Sequence, residues 1–167
     1  MIELNWPAIG FSALPNLGGV AGGLITRRAI NPWYESLKKP NWRPPNRAFA
    51  PVWTALYTSV GYASYLVYRD GGGFDGAARV PLIVYGTNLA ANWLWTPIFF
   101  GKKDIKLALY EMQLVNGTAL GMAYLFYKIN PTAGLLVVPY CLWLCVATAL
   151  NYTIYRDNKE KVKEITD

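Results

Sequence analysis

The chain has 167 residues, a length suited to one domain, but only 16% of them are charged against roughly 25% in a soluble protein, and 15% are aromatic. Too little charge is present for an ordinary water-facing surface, and the lack of any histidine removes the commonest general base, the usual haem axial ligand and most zinc sites. The net charge of +6 therefore has to be explained by where the basic residues lie.

Residues 6–26, 48–68, 80–101 and 131–155 contain no Asp, Glu, Lys or Arg, and residues 107–127 contain only Glu111. Each stretch has at least 21 residues, and about 20 apolar residues at about 1.5 Å each cross a hydrocarbon core of ~30 Å. Membrane strands would be shorter and strictly alternating. A soluble helical bundle would need a polar stripe on each helix. The prediction is an all-α integral membrane protein: a single five-transmembrane-helix bundle over residues 1–158, with a polar cytosolic tail at 159–167. Backbone groups in lipid must pair within their own segment, so helices start or kink at some of Pro51, Pro81, Pro97 and Pro139.

The first segment contains "GGVAGG", which puts Gly18 and Gly22, and Gly19 and Gly23, at small-xxx-small spacing; Gly117 and Gly121 repeat it in the fourth. Such faces let helix backbones approach closely, either within the chain or in a homodimer. With Glu3, no early basic residue and a first apolar run already long enough to span, the start does not read as a cleavable presequence. The connection 27–47 ends in "WRPPNR", where Pro44 and Pro45 stiffen the backbone beside Arg43. With Trp33 and Trp42 it forms either an anchor fixing the helix start or a semi-rigid lid over a pocket mouth.

Three faces carry aromatic residues at helical spacing: Ala50, Trp53 and Tyr57 in the second segment, Asn92, Trp95 and Phe99 in the third, and Trp143, Ala147 and Leu150 in the fifth. Aromatic walls with one or two amides suit a pocket for a flat, weakly polar molecule, and suit plain bundle core as well. Asn88, Asn92, Gln113, Asn116 and Asn151 should face inward, bonded to one another, to backbone or to a ligand. Glu111 reads as a carboxylate that snorkels to, or pairs with, the basic cluster 102–106; nothing nearby supports a proton relay. Cys141 and Cys145 read as small apolar packing groups, with no disulfide framework or metal set.

If the chain crosses five times, 13 of its 16 basic residues fall on one side, leaving Arg69, Arg79 and Lys128 on the other. The positive-inside tendency places the 27–47 loop, the 102–106 turn and the C-terminus in the cytosol, and the charge then needs no nucleic-acid partner. No phosphate-binding loop, dinucleotide fingerprint, paired intramembrane carboxylates or inverted repeat is visible. No metal and no obligatory cofactor is expected.

Three quoted stretches carry a resemblance: "WYESLKKPNWRPPNRAFAPVWTALY" from Trp33, "NWLWTPIFFG" from Asn92 and "PYCLWLCVATALNYTIYRDN" from Pro139. Together they resemble the translocator protein family, also called the peripheral-type benzodiazepine receptor or tryptophan-rich sensory protein family. The resemblance implies a five-helix membrane bundle that binds porphyrins such as protoporphyrin IX, haem, cholesterol and drug-like molecules under the first loop. The positions it implies for the pocket are Gly23, Ala50, Trp53, Tyr57, Asn92, Trp95, Phe99, Leu114, Trp143, Ala147 and Leu150. A sterol motif would comprise Leu150, Tyr152 and Arg156, although Tyr152 and Arg156 also form an ordinary i,i+4 interfacial pair.

Bacterial members are associated with light-dependent porphyrin breakdown involving tryptophans at the positions of Trp53 and Trp143. Three departures stand out. Arg43 replaces a vertebrate histidine, Leu107 a tryptophan and Thr96 a second proline before Pro97. The arginine could pair with a porphyrin propionate. The expected function is a membrane receptor for tetrapyrroles and sterols, with porphyrin photodegradation or sterol and porphyrin carriage as alternatives; by resemblance the location is the mitochondrial outer membrane.

Overall fold

The computed structural model describes residues 4–29 and 33–159, so the tail at 160–167 and loop residues 30–32 lie outside the described residues. The described residues form five long helices: α1 (Trp6–Ala29), α2 (Asn46–Asp70), α3 (Arg79–Thr96), α4 (Ile105–Ile129) and α5 (Pro131–Asp157). No strand occurs among the described residues. The helix starts follow local chemistry. Pro45 holds an extended backbone before α2, and the Asp104 side chain accepts from the Leu107 amide at 2.8 Å to cap α4. Asn130 caps α5 by accepting from Ala133, with Pro131 in the first turn where its missing N–H costs nothing.

The third hydrophobic segment is not one uniform helix. Pro97 cannot donate into the ladder, and the chain widens there into a π-helical turn, Pro97–Gly101. Lys103 follows at φ 59°, a left-handed conformation uncommon for a residue with a side chain. The result turns Phe99 and Phe100 toward the first loop, which carries a short 3-10 turn, Tyr34–Ser36.

The helices pack chiefly as α4 on α5, α1 on α2, α3 on α4 and α2 on α5. Val60, Ala63, Val67, Val115, Met122, Phe126, Val137 and Leu144 fill the shared core. Large apolar side chains also cover the outside: Leu17, Val20, Ile83, Leu120 and Leu142 are each more than half exposed. Water would disfavour so much continuous apolar surface. By length and composition, α1 and α5 are apolar enough to cross a membrane.

Close approach of α1 to its neighbours depends on glycine. A Cβ on Gly61 of α2 would run into the Phe11 carbonyl and Ser12 Cα, and one on Gly18 into the Trp93 indole. Gly19 lies against Tyr57 and Gly22 against Thr96, so these α1 glycines pack inside the chain. Gly23 and Gly117 meet nothing within 4 Å. Gly61→Val should therefore cost roughly 1–3 kcal/mol by forcing α1 and α2 apart, whereas Gly23→Ala should leave thermal unfolding in detergent unchanged or slightly raised, since alanine is the better helix former. Equal melting curves for the two variants would contradict this packing.

Candidate functional site

Trp53, one turn before Tyr57 on α2, is the hub of an interior aromatic cluster. Its ring centroid lies 5.2 Å from Tyr57, 6.3 Å from Tyr140 and 6.5 Å from Trp143, the last two edge-on. Phe49 lies edge-on to Trp143 at 5.8 Å. Edge-to-face arrangements satisfy the ring quadrupoles and hold these side chains together.

Amides and hydroxyls thread this cluster. Asn92 Nδ2 donates to the Tyr140 hydroxyl at 2.8 Å, which donates to Asn88 Oδ1 at 2.9 Å. Trp95 Nε1 donates to Asn151 Oδ1, and Asn151 Nδ2 to the Ile105 carbonyl, both at 3.1 Å. Asn116 bonds Thr148 across α4 and α5. The Trp143 indole N–H is different: it is enclosed and has no partner.

A second cluster closes the loop end. Tyr34 and Leu37 are buried with Phe99, Ile105, Leu150 and Ile154, and Trp33 packs against them. Trp33 lies edge-on to Phe99 at 5.7 Å, and Trp95 stacks on Phe99 at 4.7 Å, linking the two clusters. Lys39 Nζ donates to the carbonyls of Tyr34, Glu35 and Leu37, folding the loop on itself. Asn158 then fastens the loop to α5: its side chain accepts from the Lys38 amide and donates to the Lys38 carbonyl, each at 2.9 Å. Arg43 donates to Asn46 Oδ1 at the start of α2. Burial raises the Tyr34 hydroxyl pKa above its ordinary value, with the neighbouring Arg43 pulling the other way.

The eleven expected pocket positions thus divide. Trp53, Tyr57, Asn92 and Trp143 share the interior cluster, with Ala147 packed against that core. Trp95, Phe99 and Leu150 belong to the loop-end cluster. Ala50 and Gly23 lie at exposed positions, and Leu114 is 53% exposed on the outer side of α4. Within the sterol motif Leu150 is buried, whereas Tyr152 is 52% exposed and Arg156 pairs with Asp157. Of the loop residues, Trp33, Arg43 and Pro44 are half-buried; Pro45 is exposed, as is Trp42 at 53%.

One expectation fails outright. The Glu111 carboxylate neither snorkels nor pairs with residues 102–106; both its oxygens are enclosed without a partner. Among the described residues the ion pairs are Lys39–Glu35, Arg69–Asp70 and Arg156–Asp157. Tyr140 and Asn158 join these two clusters without having been singled out from sequence. Tyr140 could have been, since it precedes Trp143 by three residues on a helix; nothing local marks Asn158. Among the described residues no group of three or more His, Cys, Asp or Glu could hold a metal.

An apolar-surfaced, all-helical protein with an aromatic, amide-threaded interior under a fastened loop is the class these features define. Sequence comparison makes it specific: a TspO/MBR family profile matches residues 11–156, and the chain belongs to that membrane-protein family. It is 43% identical over 153 residues to the translocator protein of Bos taurus, covering 92% of this chain and 90% of the bovine one. It is also 43% identical over 152 residues to the human translocator protein, covering 91% and 90% of the two chains. The translocator protein homolog of Schizosaccharomyces pombe is 40% identical over 119 residues, 71% of this chain and 73% of the yeast one.

Proposed function

We propose that this protein is a membrane receptor that binds porphyrins, cholesterol and benzodiazepine-type drug molecules between its helices, with the first loop as lid. All five helices cross the bilayer in this reading, since apolar side chains face outward and charges cluster at helix ends. The basic end, where the first loop meets the π turn and the end of α5, faces the cytosol, and the mitochondrial outer membrane is the proposed location.

The observation that carries the binding reading is the Trp143 indole N–H, enclosed among aromatic rings with nothing to donate to. A buried donor left unpaired costs about 1–3 kcal/mol, so an acceptor on a bound ligand would recover stability. Titrating the detergent-purified protein with protoporphyrin IX in the dark should quench tryptophan fluorescence saturably. Trp143→Phe, which keeps the ring and removes the donor, should weaken binding roughly tenfold. Unsaturable quenching would sink the reading.

The edge-on contact of Trp53 with Trp143 favours one second reading, light-dependent porphyrin breakdown with these rings as redox-active groups. Illumination separates the two. A receptor leaves the porphyrin absorption intact, whereas bleaching abolished by Trp53→Phe or Trp143→Phe means chemistry.

A further inference from the structure

The basic residues at the loop end of the bundle differ in what neutralises them. Lys39 pairs with Glu35, Arg156 pairs with Asp157, and Arg43 donates to Asn46. A second set has no such match: Arg27 and Arg28 in the last turn of α1, Lys102 and Lys103 after the π turn, and Lys106 in the first turn of α4. All of these are exposed, and among the described residues none forms an ion pair. Lys103 lies over the Trp33 ring, 5.9 Å from its centroid. Asp104, the acid nearest in sequence, commits its Oδ1 to the cap of α4.

Packing brings this second set to one place. Gly18 of α1 lies against Trp93 of α3 and Gly22 against Thr96, so the two helices run parallel and in step. Carried on by one more turn, that register puts Arg27 and Arg28 level with residues 101–103. The π turn packs against both α1 and α4, which holds Lys106 at the same level. Helix stability does not explain Lys106, because a cation in the first turn opposes the macrodipole. Along the helices just below, the outer surface is apolar. Leu24 stands one turn before Arg28 and Tyr110 one turn after Lys106, while Leu94 lies on α3, which packs against both helices; all three are more than half exposed.

We propose that the meeting of α1, the π turn and α4 is a binding site for an anionic phospholipid, with the phosphate among these cations and the acyl chains along the apolar side chains beneath. Each basic group near an anionic headgroup contributes about 1 kcal/mol. A zwitterionic lipid brings its own ammonium into the same cations and gains less. A second copy of this chain would suit the apolar surface and not the charge: both copies must point the same end to the same side of the membrane, so a two-fold contact here sets cations against cations. The site rests on the membrane-spanning reading above and is independent of the porphyrin reading.

Native mass spectrometry of the full-length protein, released from detergent containing equal amounts of dioleoylphosphatidylglycerol and dioleoylphosphatidylcholine, tests it. Protein carrying a single lipid should carry phosphatidylglycerol about tenfold more often; equal shares overturn the proposal without any variant. Arg28→Gln combined with Lys102→Gln and Lys106→Gln should abolish the preference, whereas Arg79→Gln with Lys128→Gln, at the other end, should leave it. Equal losses in the two variants would show net charge acting without a site, which overturns the assignment. Excess glycerol 3-phosphate, a headgroup without chains, should not displace the lipid; full displacement would mean a site for free phosphate instead. An unchanged lipid ratio in the triple variant, with more dimer, would give this surface to a second copy. If neither lipid is retained but the protein resists alkaline extraction from phosphatidylcholine vesicles, the site falls and the spanning reading stands. If the protein washes out of the vesicles, both fall.

Discussion

Asn158→Ala should release protoporphyrin IX roughly 30-fold faster than the unmodified protein while leaving the helical bundle folded. The Asn158 amide meets the Lys38 backbone as a neighbouring strand would, accepting from its N–H and donating to its carbonyl across 120 positions of sequence. It is anchored from behind by a bond to the Ile154 carbonyl at 2.8 Å. Each bond contributes about 1 kcal/mol net, so losing the two that reach the loop weakens loop closure by about 2 kcal/mol. The Tyr34 and Leu37 contacts in the loop-end cluster remain, so the main effect falls on the open population rather than on folding. Hydrogen exchange at the Lys38 amide should rise in step. Slow exchange there, together with an unchanged release rate, would show that the aromatic contacts alone hold the loop.

Glu111→Leu should stabilise the protein, the reverse of the usual sign for a substitution at an inward-facing position. Both carboxylate oxygens are enclosed on α4 with no donor among the described residues. A polar group buried without partners costs several kcal/mol, and leucine fills similar volume without that penalty. A gain of roughly 1–3 kcal/mol is expected, which raises Tm by about 2–4 °C per kcal/mol in a chain of this size. Glu111→Gln should recover less, because its amide still lacks partners. A lower Tm for Glu111→Leu would mean that the carboxylate holds a partner, such as an ion, when the protein is in its membrane.

These two residues also mark where local pattern stops being informative. Glu111 stands about one turn from the basic cluster 102–106, and spacing alone suggests a pair; Lys103, left-handed after the π turn, lies over Trp33 instead, and no ion pair reaches Glu111 among the described residues. Trp53 and Tyr57 could be assigned to one face from their i,i+4 spacing, and they are in contact. Asn92, Trp95 and Phe99 follow the same spacing logic, yet Asn92 bonds into the interior cluster while Trp95 and Phe99 reach the loop end. Trp95 packs against both cores and stacks on Phe99 at i,i+4, so the face was legible, but not where along it the interior cluster ends and the loop-end cluster begins. For Leu114, placed in the pocket by resemblance, the helix turns the side chain outward.

Helical class, the number of long helices and the crowding of basic residues at one end were readable without coordinates, because each depends on run length, composition and charge position along the chain. Family membership was readable for a similar reason, since its motifs are contiguous. The partners of each polar group were not. Asn92 and Asn88 meet Tyr140 across 48 and 52 residues, and Lys38 meets Asn158 across 120. A hydrogen bond requires heavy atoms to approach to about 3 Å, and only the way five helices cross, controlled by glycines such as Gly18 and Gly61, brings those particular atoms within that distance.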